Sequence, residues 1–297
     1  MNTPTVDASE QKRLSCDDGY PIAATLYPAK TPRGSVIIAP ALAAAQSFYA
    51  DFARFMARHG FDCITFDYRG TGASLSDHKP NAVRLEDWGR RDIETVIRFA
   101  KTRSRAPGSG PQPIHLIGHS IGGQLIGMAQ SAPDLEHIVL IAASAPYWRR
   151  WPYPQNIRML GVSAVLIPAL SAFRDRFPAR KLGLGGIDMP ASAARQWARW
   201  MRHPDYLFAS RLGLDLTGYQ TLTQPLLSIG FSDDDMAPQA NITHLLGRFP
   251  NARITQRQVD ASTLAAGPVG HAGFFKKRFE QTLWRETLEW LTATAAR

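Results

Sequence analysis

The sequence predicts an α/β fold, a mostly parallel central sheet flanked by helices, on three observations. Short apolar runs alternate with amphipathic stretches along most of the 297 residues. The runs are continuous rather than alternating apolar with polar, the pattern of strands covered on both faces. Hydrophobic residues make up 44% of the chain against 20% charged, which suits a folded domain with a sizeable buried core and excludes a disordered chain. At this length one sheet-based domain carrying an insertion is expected.

The first element, "KRLSCDDGYPIAATLYPA", reads as two short strands joined by the Asp18-Gly19 turn, an antiparallel hairpin at the sheet edge. The buried strands follow as "VIIA" (36–39), "CITF" (63–66), "IHLI" (114–117), "IVLIA" (138–142) and "LLSI" (226–229). Between them Phe48, Phe52, Phe55 and Met56 fall on one helical face, closed by Gly60, and Ile93, Val96, Ile97 and Ala100 on another. A last helix over about 276–294 turns Phe279, Leu283, Trp284, Leu288 and Leu291 inward. The alternation breaks between residues 144 and 223, where Trp148, Trp151, Trp197 and Trp200 sit among prolines and the glycine-rich "LGLGG". Residues 1–143 and 224–297 are therefore expected to form the core, and 144–223 a helical cap insertion above the sheet.

The net charge of +9 comes from 34 Lys and Arg spread along the chain, with only short clusters at Arg149-Arg150 and at "KKR" (276–278). No nucleic-acid motif accompanies it, so no nucleic-acid partner is expected; acidic ligands or a membrane surface stay open. Cys16 and Cys63 show no metal or redox spacing. The polar opening "MNTPTVDASEQKR" and the lack of any 18-residue apolar stretch lead to the expectation of a cytoplasmic chain with no stable membrane insertion.

The chemistry gathers at "IHLIGHSIGG" (114–123), where an apolar strand ends in Gly118-His119-Ser120-Ile121-Gly122 and a helical stretch follows. Strand, tight turn and helix are the context that makes G-x-S-x-G a nucleophile elbow: the turn strains the serine, and the helix N-terminus offers unpaired N–H groups to a developing anion. A serine hydroxyl needs a base, itself held by a carboxylate. Of eight histidines, His59 precedes a helix-ending glycine, His115 lies inside a strand, and His119 fills the variable elbow position. His137, His203 and His244 have helix-like or strand-edge surroundings, and His78 sits in the loop "SDHKPN". His271 alone follows a glycine-rich loop, "AAGPVGHAGFF", after the strand runs and before the final helix, at the strand ends where α/β sites form. The acid comes from Asp233, Asp234 or Asp235 in "LLSIGFSDDDMAP", of which at least one belongs to a solvated turn.

At these residues the chain resembles the α/β-hydrolase superfamily, in particular its serine-aminopeptidase-like branch and predicted bacterial hydrolases. The likeness is carried by "GSVIIAPALAAAQSFYADFARFMARHGFDCITFDYRGTGAS", "GHSIGG", "LLSIGFSDDDMAP" and "GHAGFF", in the family's order and over most of the chain outside 144–223. Laid on the family's acid loop, G-x-D-D-P-x-x-P, the resemblance implies Asp234, four residues before Pro238, as the acid. Phe231 replaces the loop's glycine, and Asp233 stays as the alternative. The resemblance also implies an oxyanion hole from the backbone N–H groups of Leu42 and Ile121. Pro40-Ala41-Leu42 stands there where many members have His-Gly-x, with Ala43 as a substitute for Leu42. Asp67 and Arg69 match the D-x-R-G-x-G-x-S loop and are expected to be structural.

These readings add up to a serine hydrolase: Ser120, Asp234 and His271 attack a carboxylic ester, or a thioester or amide, through an acyl-enzyme on a small-molecule substrate with an apolar group. No cofactor and no metal are called for. An acyltransferase using the same residues is the alternative, followed by a non-catalytic ligand-binding member of the fold. Ser120 in place of an elbow aspartate excludes a dehalogenase-type reaction.

Overall fold

The computed structural model describes residues 9–76, 82–104 and 111–293; His78 lies outside the described residues. The hairpin predicted at the start is formed by β1 (Glu10–Ser15) and β2 (Pro21–Tyr27), with Gly19 in the left-handed region at φ +78°. Each apolar run is a strand: β3 (Ser35–Ala39), β4 (Asp62–Phe66), β5 (Ile114–His119) and β6 (His137–Ile141) are buried along their whole length. Two short strands, β7 (Arg176–Phe177) and β8 (Met189–Pro190), pair apart from them. β9 (Pro225–Phe231) and β10 (Arg253–Val259) complete the large sheet. Its order is β1-β2-β4-β3-β5-β6-β9-β10, antiparallel at β1, β2 and β4 and parallel from β4 onward.

β10 departs from the expectation, since no apolar run announces "RITQRQV". It is the free edge of the sheet, and only Val259 is buried, so nothing demanded an apolar sequence. Such an edge strand is held by its ladder to β9 and by charge toward water.

The helices are α1 (Ala50–Arg58), α2 (Leu85–Asp87), α3 (Glu94–Arg103), α4 (Ile121–Gln124), α5 (Gln155–Gly161), α6 (Ile167–Ser171), α7 (Ala191–Met201), α8 (Thr217–Thr221), α9 (Gln239–Leu246) and α10 (Arg285–Ala293). α1 buries Phe52, Phe55 and Met56 as predicted, but Phe48 is exposed and Tyr49 takes the inward place. The turn preceding α1 is a 3₁₀ turn over Gln46–Tyr49, whose tighter winding rotates the face away from an α-helical count. Phe52 and Phe55 meet Trp284 at centroid distances of 5.2 and 5.4 Å, which ties α1 to the C-terminal helix. That helix runs as a π-helical turn over Glu280–Trp284 into α10.

Asp67 and Arg69 brace the loops after β4. Asp67 accepts from the Gln46 and Ala73 N–H groups at 2.7 and 2.9 Å, and Arg69 lies between the buried Asp92 and Asp18, each at 2.7 Å. Both cysteines are buried and unpaired. No helix of the described residues is long and apolar enough to cross a membrane.

Candidate active site

β5 delivers Ser120 to the carboxyl end of the sheet, and α4 starts at the next residue. Ser120 has φ +52° and ψ −115°, so the strain sits on the serine itself rather than on a glycine. The neighbouring glycines serve close approach: a Cβ on Gly118 would come within 2.5 Å of the Gly123 backbone, and one on Gly122 within 2.3 Å of the Ala39 carbonyl oxygen. The sharp turn therefore fits only where strand and helix nearly touch, and it lifts the Ser120 hydroxyl above the strand end.

The loop after β10 brings His271 over that hydroxyl, with Nε2 2.9 Å from Ser120 Oγ. On the other side of the ring, Nδ1 lies 2.8 Å from Asp234 Oδ2 and 3.1 Å from Oδ1. Asp234 is buried, and its Oδ1 also accepts the Met236 and Ala237 N–H groups at 2.8 and 3.1 Å. Those amides hold the carboxylate in one orientation. Asp233 points elsewhere: its carboxylate accepts from the Val269 and Gly270 N–H groups at 2.8 and 3.0 Å, anchoring the loop that carries His271. Asp235 is exposed, and its carbonyl accepts from Trp151 Nε1 at 2.8 Å. Three consecutive aspartates thus have three different surroundings.

Leu42 and Ile121 both line the cavity above Ser120 together with His271. Among the described residues neither of their N–H groups has an acceptor. Ala43, at φ +54°, instead directs its carbonyl to the N–H groups of Gly186 and Ile187 and does not share the cavity.

His119, at the variable position of the elbow, has specific partners in the structure. Its Nε2 lies 2.8 Å from the backbone carbonyl of His271, and its Nδ1 lies 2.9 Å from Tyr49 Oη. A carbonyl can only accept, so the ring proton is on Nε2, and Nδ1 must accept from the tyrosine hydroxyl. The same hydroxyl accepts the Ala41 N–H at 2.8 Å. One chain of bonds therefore runs from the loop bearing Leu42, through Tyr49 and His119, to the backbone of His271. Burial, and next the nearby His271, push His119 down to about 3, so it stays neutral. No spacing signal could have revealed this contact, because Tyr49 and His119 meet only in the tertiary fold.

The cavity divides into two arms around Ser120. One is bordered by Gln124, Pro146, Trp151 and Met201, the other by Phe177, Leu184, Met189 and Ala194, and Trp197 and Met236 face both. Trp200 is buried against Tyr206 instead, and Trp148 lies under Arg149 away from the cavity. Larger depressions at Lys101–Glu136 and at Arg84–Arg199 do not reach Ser120. Among the described residues no cluster of His, Cys, Asp and Glu is placed to hold a metal ion.

The model of the alpha/beta hydrolase family matches residues 36–281. No curated protein sequence matches the chain. Among solved structures, a soluble variant of monoglyceride lipase from Saccharomyces cerevisiae, in complex with a substrate analog, aligns with a TM-score of 0.71 at 13% identity, over 99% of this chain and 96% of that one. The esterase EaEST from Exiguobacterium antarcticum aligns at 0.60 and 18% identity over 96% and 100% of the two chains. Mouse alpha/beta hydrolase domain-containing protein 10 aligns at 0.57 and 17% over 96% and 99%. At these identities the likeness is one of fold.

Proposed function

Because the chain belongs to the alpha/beta hydrolase family, we propose that it is a serine hydrolase cleaving a carboxylic ester through an acyl-enzyme on Ser120. The observation that carries this reading is the placement of one imidazole between a hydroxyl at 2.9 Å and a buried carboxylate at 2.8 Å. His271 Nε2 takes the Ser120 proton as Oγ attacks the carbonyl carbon, and Asp234 holds the proton on Nδ1 and stabilises the imidazolium. The oxyanion is received by the Leu42 and Ile121 N–H groups, where one donor is typically worth about 3 kcal/mol. His271 then passes its proton to the departing alkoxide as the C–O bond breaks. Water, deprotonated by the same ring, attacks the acyl carbon; the bond to Ser120 Oγ breaks, Oγ takes the proton back from His271 Nε2, and the acid leaves.

In this reading residues 144–223 are the cap. Phe177, Leu184, Met189 and Trp197 come from it and offer no hydrogen-bond donor row for a peptide, which supports an ester with an apolar acyl or aryl group. Treatment with a fluorophosphonate followed by peptide mapping tests the proposal. A single adduct on Ser120, absent in Ser120→Ala and accompanied by loss of ester turnover, is the expected result; an unlabelled Ser120 overturns it. Free acid as the sole product in the presence of a competing alcohol separates hydrolysis from acyl transfer.

A further inference from the structure

The outer helix of the cap is inside out. It runs continuously over 155–171, through α5, a π-helical turn at Val162–Leu166, and α6. Ile157 and Val165 lie on its exposed side and Tyr153 and Phe173 flank its two ends; the four are spaced by multiples of four residues and are, in chain order, 83, 54, 65 and 100% exposed. Gly161 and Ala169 fill the intervening exposed positions, while Ser163 and Ser171 face inward and are buried. A helix meant for water shows the reverse pattern. Six of the nine large apolar side chains exposed among the described residues lie in residues 144–223.

The charge of the same region is one-sided. Residues 144–223 contain eleven Lys and Arg against four Asp and no Glu, a net +7 of the chain's +9, and no acidic residue occurs from 144 to 174. Exposed Arg158 and Arg174 are chain neighbours of Ile157 and Phe173.

The helix is fastened from beneath. Ile167 N–H closes onto the Val162 carbonyl, so the next bond in that register would come from Pro168, which has no N–H. The Ser163 carbonyl accepts from Arg202 instead, and the Ser171 carbonyl accepts from Arg195 at 2.5 Å. Arg195 lies in α7 and Arg202 directly follows it, and the α7 residues Ala194, Trp197 and Met201 roof the cavity over Ser120.

We propose that this face docks the protein on an anionic lipid bilayer, with Ile157, Val165 and Phe173 in the interface and the flanking arginines on lipid phosphates. An anionic bilayer answers both features at once, hydrocarbon for the stripe and negative charge for the cap. A second copy of the chain would bring two strongly positive caps together. The docking stands apart from the Ser120 chemistry, although it would set the roof of that cavity against the membrane.

Sedimentation of the full chain with phosphatidylcholine vesicles, with and without phosphatidylglycerol, tests it. Binding to the anionic vesicles that weakens with salt is expected. Val165→Glu/Phe173→Glu should lose at least about tenfold in vesicle affinity, and Arg158→Gln/Arg174→Gln about fivefold per arginine. Both variants alter exposed positions, so a soluble short-chain ester should be turned over at the wild-type rate. Equal sedimentation with both vesicle types, no binding to either, or a charged-stripe variant that binds like wild type overturns the proposal. So does a lipid-free dimer, or capture of a protein partner, that the Val165→Glu/Phe173→Glu variant abolishes. Loss of ester turnover in every form including wild type would count against the Ser120 reading and leave the sedimentation result standing.

Discussion

At the strand ends, Ser120, Asp234 and His271 are each held by hydrogen bonds: Ser120 N–H to the Ile141 carbonyl, Asp234 to two backbone amides, and the His271 carbonyl to the His119 ring. Across the cavity, the apolar and aromatic side chains of Phe177, Met189 and Trp197 form its wall. The difference separates two kinds of residue. In the proposed mechanism the groups that move protons are held by directional bonds and have one geometry, so replacing them should change the rate by orders of magnitude. Apolar walls are interchangeable within their volume, so replacing them changes which substrate fits.

The largest expected effect lies on the strand-end side. Ser120→Ala should lower kcat for an activated ester by roughly a millionfold, with little change in Tm because no packing is lost. Residual turnover within tenfold of wild type would mean that another group attacks and would end the comparison. Next comes the contrast between adjacent carboxylates. Asp234→Asn should cost about 10⁴-fold in kcat, since the amide no longer holds the imidazole in its working tautomer. Asp233→Asn should cost less than about tenfold, with a stability loss of about 1 kcal/mol from weakened bonds to Val269 and Gly270. Steady-state kinetics on both variants check this, and equal losses would show that the direction of the two side chains does not separate their roles.

The same contrast marks what the sequence made legible. β3 to β6 and β9 could be read because burial on both faces demands continuous apolar runs, whereas β10, exposed at the sheet edge, carries no such demand. Ser120 and His271 stood out because an elbow and a glycine-rich loop before the last helix are local patterns. The direction of each aspartate was not local: it depends on the turn closed by Asp234 N–H to the Phe231 carbonyl, which sends Asp234 inward and Asp233 toward the His271 loop. His119 and Tyr49 were illegible for a related reason, as 70 residues separate them. The four tryptophans of residues 144–223 divide, Trp151 and Trp197 to the cavity and Trp148 and Trp200 elsewhere, because helix spacing alone says which residues share a face and not what that face meets.

Acid should act along β5, at its amino end through His115 and at its carboxyl end through His119. His115 and His119, both on β5 and both buried, are pushed down to about 3 by loss of hydration, with neighbouring histidines adding to it. A folded-state value below the unfolded 6.5 means that the unfolded chain takes up the proton first. Stability is therefore complete above about pH 6.5 and falls as pH drops toward 3. Each ring should cost about 2 kcal/mol between pH 7 and 5. Denaturant unfolding at these two pH values measures it, and His115→Gln should flatten the slope by one histidine's share while keeping a hydrogen-bonding group beside His137, whose Nδ1 is 3.1 Å from that of His115. An unchanged slope would place the acid sensitivity elsewhere.

The smallest effect falls on the wall. Trp197 faces both arms of the cavity from α7 and is almost fully buried. Trp197→Ala should lower kcat/KM for a long-chain or aryl ester about tenfold while leaving a short ester nearly unaffected, the scale on which hydrophobic pockets discriminate. The rate of fluorophosphonate labelling at Ser120 should stay the same, because no bond to Ser120, His271 or Asp234 is removed. If labelling slows as much as long-ester turnover, Trp197 acts by holding the reacting groups in place. The division between bonded strand ends and an exchangeable wall would then fail at its best-placed residue.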